Sequence, residues 1–109
     1  MYKINVHALS VNRCWQGRRF KTKDYENYEK ELSFLLPREL KVPKKEKLQL
    51  TILFGLSNKM NDIDNGLKPF IDVLQKNYDF NDKMIYRLLV QKEDTKKGEE
   101  FISFNIKNI

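Results

Sequence analysis

Leu48-Gln-Leu50-Thr-Ile52-Leu-Phe54-Gly-Leu56 sets a large apolar residue at every second position. That period of two belongs to a strand with one face against a core. Downstream, Ser57 to Asn61 reads as loop, and Leu67, Phe70, Ile71 and Leu74 recur at spacings of three and four, one face of a helix. Pro69 fits that helix only near its first turn, where backbone donors lack partners. Asn77 is the expected left-handed cap at its far end.

Upstream, Tyr2, Ile4, Val6 and Ala8 alternate as a further strand, and Tyr25, Tyr28, Leu32 and Leu35 mark a helix that Pro37 ends. Residues 36 to 47 are a connector whose Lys44-Lys-Glu-Lys47 run is a solvated loop. Beyond the second helix, Met84 to Lys92 and Glu100 to Lys107 read as strands of a hairpin turning at Lys97-Gly98. The order β-α-β-α-β-β implies a mixed α/β (α+β) fold with a mixed, mostly antiparallel sheet, and 109 residues make one domain, 1–109. A domain this small gains from subunit pairing, which buries more surface.

The net charge of +6 and pI of about 9.4 favour a polyanionic partner, although surplus lysine also keeps small proteins in solution. One cysteine, Cys14, and one histidine, His7, exclude an internal disulfide and a thiolate zinc site, and leave little room for Ser-His-Asp or Cys-His chemistry. No apolar run suits a signal peptide or a membrane span, so the expected location is the cytoplasm, on the nucleoid or from a phage gene.

Between Ser57 and Lys92 every acidic residue is aspartate. Its short stem suits helix caps and rigid sites for hard cations alike. Asp62 and Asp64, two apart in an extended segment, can face one ion, and Lys68 follows Asp64 by one helical turn. Asp82 arrives at the start of the next strand. Neighbouring carboxylates raise one another's pKa unless a cation neutralises them, and Mg²⁺ takes few carboxylates together with waters and substrate phosphate. Phosphodiester hydrolysis follows from that set, with Lys68 placing positive charge where negative charge accumulates. Each part also has a plain structural role: Asp62 or Asp64 as a helix cap, Lys68 as a solvated ion-pair partner, Asp82 as a turn cap. A basic DNA-binding module without catalysis, or an acid-cluster nuclease acting on RNA or flaps, therefore stays open.

The run Asp62-Ile-Asp64-Asn65-Gly-Leu-Lys68-Pro-Phe-Ile-Asp72-Val-Leu74, followed by Asn81-Asp82-Lys-Met-Ile85, resembles the signature of the RusA family of Holliday-junction resolvases. Ser10-Val-Asn12-Arg13, with Trp15 and Arg18 after it, is similar to that family's early S-x-N-R segment. The resemblance implies that Asp62, Asp64 and Asp82 bind metal and that Lys68 is catalytic. It also implies a homodimer of mixed α/β fold that nicks four-way DNA junctions symmetrically in recombination and repair, using Mg²⁺ or Mn²⁺. Asn81 stands where the family commonly has aspartate and Leu9 where it has proline, and Asp72 matches a frequent family residue able to face Lys68.

The basic stretch from Asn12 to Lys23 supplies the expected DNA contacts: Asn12, Arg13, Arg18, Arg19 and Lys21. For Trp15 and Phe20 within it, a core or dimer-interface place is favoured over stacking on an exposed base. One geometric expectation concerns Asp82. A helix from Asp64 to Lys76 advances about 18 Å at roughly 1.5 Å per residue. The chain from Lys76 to Asp82 reaches back at most about 20 Å. A sharp turn at Asn77 would return Asp82 to the helix start, make the next strand antiparallel to the one ending at Leu56, and gather the three aspartates within one subunit of the dimer.

Overall fold

The computed structural model describes residues 1–17 and 20–109. Among them the chain order is β1 (Tyr2–Ile4), β2 (Trp15–Gln16), β3 (Phe20–Lys21), α1 (Lys23–Leu35), β4 (Leu48–Leu56), α2 (Leu67–Tyr78), β5 (Ile85–Asp94) and β6 (Phe101–Asn108). Four strands form one mixed sheet in the order β1-β6-β4-β5, while β2 and β3 make a small separate hairpin.

The central strand is β4, and its alternation works as the sequence implies. Leu48, Leu50, Ile52, Phe54 and Leu56 are all buried. They share one core with Tyr25, Tyr28 and Leu32 of α1 and with Phe70, Val73 and Leu74 of α2. The rings of Phe54, Phe70 and Phe104 meet edge to face, the Phe54–Phe70 centroids 6.4 Å apart and the Phe70–Phe104 centroids 5.5 Å. Such contacts add to the transfer free energy of the buried rings. Thr22 caps α1 by accepting from the Tyr25 backbone N–H at 3.1 Å. Leu36, next to Pro37, is extended and ends the helix.

Several boundaries differ from the sequence reading. The first strand stops at Ile4, because the Val6 N–H bonds back to the Ile4 carbonyl at 3.0 Å. Leu35 is exposed and Leu36 takes the buried place. Helix α2 starts at Leu67, so Pro69 falls in its first turn as required. It ends beyond Asn77, whose amide donates to the Val73 carbonyl at 2.8 Å, and Asp79 takes the left-handed position with φ of 53°. Aspartate tolerates that conformation because its short side chain is accommodated locally.

Two strand pairings differ as well. β5 runs parallel to β4, Leu50 beside Leu88 and Leu56 beside Asp94. The antiparallel expectation fails because α2 acts as a crossover: the helix carries the chain back, and β5 starts beside Leu48 rather than Leu56. The turn at Gly98 exists, with φ of +91°, but β5 and β6 are not partners. β4 lies between them, so the predicted hairpin is a tight connection over the end of β4, where the Thr95 N–H bonds the Leu56 carbonyl at 2.9 Å.

Helices cover one face of the sheet. On the opposite face Phe101 lies across Gly55, where a Cβ would run into the ring, so glycine is required for this approach.

Candidate active site

The loop between β4 and α2 brings the D-x-D segment up against the N-terminal arm. The Val11 N–H donates to the Asn65 carbonyl at 2.8 Å, which ties Ser10-Val-Asn12-Arg13 to Asp62-Ile-Asp64-Asn65. Asp62 and Asp64 both stand exposed in this loop. Neither side chain caps α2: the cap position is Gly66, and it carries no side-chain cap bond. The ordinary structural role for these aspartates is therefore not the one they fill.

Asp82 is likewise free of capping. It opens a short 3-10 turn, residues Asp82–Met84, whose cap is Asn81, with its side-chain oxygen accepting from the Lys83 N–H at 2.9 Å. The Asp82 carboxylate turns to α2 instead. Lys68 Nζ lies 3.2 Å from Asp82 Oδ2 and 2.8 Å from Asp72 Oδ1. Asp72 follows Lys68 by four residues, so the pair lies along one face of α2. Gln75, on the next turn, accepts from the Asp82 backbone N–H at 2.7 Å and donates to Asp72 Oδ1 at 3.3 Å. Three successive turns of α2 thus hold Asp82 against the helix.

These contacts raise the Lys68 pKa above its ordinary value, Asp72 contributing most and Asp82 adding to it, against a partial loss from burial. The ammonium is charged at neutral pH. Asp72 faces Lys68 one turn away, the contact its spacing of four implies, and Gln75 is a further member of this network that the sequence reading missed. Its signal was its place three residues after Asp72 and seven after Lys68, on the same helical face.

A cavity of about 250 Å³ opens beside Asp62, lined among others by His7, Ser10, Arg13, Asn61 and Asn65. His7, read as a bystander, is exposed there, with Nε2 3.7 Å from Glu100 Oε2. Cys14 is buried, and burial pushes its thiol pKa up, which removes it as a nucleophile.

The donor chemistry suits a hard divalent ion, since the acids here present only carboxylate oxygens and a cation, the Lys68 ammonium, already rests between two of them. The convergence is partial. Asp82 joins Lys68 within one chain, Asp62 borders the Arg13 cavity, and Asp64 stands between them in sequence. Among the described residues no three of His, Cys, Asp and Glu come close enough to hold a metal together. Asp82 draws level with the Gln75 turn rather than returning to the start of α2.

Of the expected DNA contacts, Asn12 is exposed, Arg13 pairs with Asp24, and Lys21 is held by Glu29 at 3.0 Å. Arg18 and Arg19 lie outside the described residues. Trp15 and Phe20 are 47% and 73% exposed, so neither is a core residue. Across the hairpin Trp15 pairs with Lys21, and both lie against Tyr25, whereas Gln16 and Phe20 take the other face. No helix among the described residues is long and apolar enough to cross a membrane.

Residues 10–103 of the 109 match the family model described as Endodeoxyribonuclease RusA. A search of the curated proteins finds no match to this chain.

Proposed function

Because this chain belongs to the RusA endodeoxyribonuclease family, we propose that it is a cytoplasmic, homodimeric Holliday-junction resolvase that makes paired, symmetric nicks using Mg²⁺ or Mn²⁺. The observation that carries the reading is the freedom of its aspartates. Asp62, Asp64 and Asp82 all flank α2, none caps it, and Asp82 is held by Lys68 instead. Exposed carboxylates on a chain of net charge +6 work against binding DNA unless a cation joins them. A basic module without catalysis has no use for them.

Asp62, Asp64 and Asp82 would hold the ion, drawing closer together than they stand among the described residues of the single chain. When bound, it supplies a water of lowered pKa and neutralises charge on the phosphate. The chain's own residues do the rest. Lys68, fully protonated, stabilises the negative charge that grows on the scissile phosphate. Asp72 and Gln75 keep Lys68 and Asp82 in register with α2. Arg13 and Asn12, anchored to the D-x-D loop through Val11, bind the flanking backbone. The direct test offers a labelled four-way junction, a linear duplex of the same sequence and a single-stranded RNA. Cleavage of the junction alone, in opposed strands, is expected; equal cleavage of the duplex or preference for RNA overturns the substrate.

The exposed face of the hairpin belongs to the same reading. Phe20 extends it with an aromatic ring directed away from Tyr25, within a strongly basic segment. Stacking on one unpaired base is worth about 1–3 kcal/mol. Phe20→Ala is therefore expected to weaken junction affinity about tenfold while linear duplex affinity stays within a factor of two. Fluorescence anisotropy with both DNAs measures this, and an equal loss on both removes the stacking role.

A further inference from the structure

The cavity beside Asp62 has a lining that neither the metal nor Lys68 uses. Its floor is apolar, made by Phe54 and Leu56 at the end of β4 and by Ala8. Its rim is polar but carries a single acid, Asp62, among the amides of Asn58, Asn61 and Asn65. At about 250 Å³ it falls below the roughly 300–1,000 Å³ of sites for larger organic ligands.

Backbone contacts fix this rim. The Asn58 side-chain oxygen accepts from the Met60 N–H at 2.9 Å, and the Asn58 carbonyl accepts from the Asn61 N–H at 3.2 Å. Lys92 Nζ, from β5, donates to the Asn61 carbonyl at 2.8 Å. The main chain of Asn61 is thus held from both sides, while its half-buried carboxamide makes no hydrogen bond to any described residue. His7 is fixed in a similar way. Its Nδ1 lies 2.9 Å from the Ala8 carbonyl and its Nε2 3.7 Å from Glu100 Oε2, to which the Ser57 hydroxyl donates at 2.5 Å. With both ring nitrogens turned to protein oxygens, the exposed imidazole has its flat face left for a ligand.

This lining selects among ligands. A phosphate would bring charge onto an apolar floor, and a hydrated cation would find only one carboxylate. A nucleobase fits: its faces are apolar, and its edge sets a donor beside an acceptor, as a carboxamide does. We propose that the cavity takes one base unstacked at the branch point of the junction, with Asn61 reading its edge and His7 lying against its face. This rests on the junction substrate proposed above and adds to it a base site beside Asp62. Arg13 borders the same cavity, where the phosphate of that nucleotide would meet it.

Such a site also sorts substrates. In a linear duplex every base is stacked on both sides, and drawing one out costs free energy, whereas at a branch point the stack is already interrupted. The cavity therefore favours a junction, and a preference for one base follows from Asn61 rather than from the aspartates.

The test uses the full chain in EDTA, so that nothing in it depends on cleavage. A four-way junction carries 2-aminopurine, which brightens when it leaves the stack, at one nucleotide at a time across the branch point. Binding is expected to raise the fluorescence about threefold or more at one position beside the branch, and to leave a linear duplex of the same sequence unchanged. His7→Ala should cut that rise by about half or more at saturating protein. Asn61→Leu nearly keeps the volume and removes donor and acceptor together. The wild-type chain should distinguish the four natural bases at the responding position by about tenfold in affinity, and Asn61→Leu should bring them within about twofold. Neither His7 nor Asn61 caps a helix or fills the core, so both variants are expected to fold and to keep their affinity for the junction. No rise at any position, the same rise on the duplex, a rise that His7→Ala leaves intact, or a preference that survives Asn61→Leu overturns the base site. A chain that nicks junctions without the rise overturns the base site alone. One that gives the rise and cuts nothing in Mg²⁺ or Mn²⁺ overturns the nuclease reading alone.

Discussion

Asp62→Asn, Asp64→Asn and Asp82→Asn are each expected to lower junction cleavage about a thousandfold or more, at about 1.4 kcal/mol per tenfold in rate. Binding should persist in all three. On the proposed reading these carboxylates lie near phosphate on a basic protein, so they help only through an ion, and removing one leaves the DNA surface less repulsive. Affinity in EDTA should hold steady or tighten. The shape of each side chain barely changes, and neither Asp62 nor Asp64 holds a cap whose loss would unfold α2. Single-turnover cleavage and anisotropy on the same preparations separate the two effects. Near-normal cleavage by Asp82→Asn would remove it from the metal site and leave its contact with Lys68 as a purely structural pair.

Lys68→Ala should reduce the single-turnover rate about 100- to 1,000-fold, the range found when one preorganised donor to a developing charge is removed. Junction affinity should change only a few-fold, because the interaction grows as the charge grows. The pH profile follows from the direction of the Lys68 shift. Its pKa in the folded protein lies above the ordinary 10.5. The small stabilisation from its ion pairs is therefore complete below 10.5 and lost as pH rises through the higher folded value. Deprotonation of Lys68 produces no fall in rate from about pH 7 to 9. A loss confined to affinity would make Lys68 a simple phosphate contact.

Much of this arrangement was legible because two periods carry it. The alternation from Leu48 to Leu56 and the helical spacing of Leu67, Phe70, Ile71 and Leu74 gave the central strand and the helix beside it. The pairing partners were not legible. β5 is a mostly exposed edge, so no clean alternation marks its neighbour, and its direction is fixed by where α2 lets go of the chain. Placing the left-handed residue at Asn77 instead of Asp79 shortened the helix by two residues and misdirected the return. In the site, D-x-D and Lys68 were visible as sequence, and Asp72 followed from its spacing of four. Gln75 was not visible, because its role depends on Asp82 docking against the third turn of α2. That Trp15 and Phe20 lie outside the core was not visible for a related reason: a hairpin with two-residue strands has no periodicity to show that it stands off the core.

The central claim, a metal-dependent junction endonuclease, meets its most direct test in a single gel. A four-way junction labelled on one strand at a time is incubated with the purified chain in Mg²⁺ or in EDTA. The account predicts nicks at symmetric positions in two opposed strands with Mg²⁺ and an intact but protein-bound junction in EDTA. Cleavage that persists in EDTA, or a junction bound yet uncut with Mg²⁺ and with Mn²⁺, would contradict it.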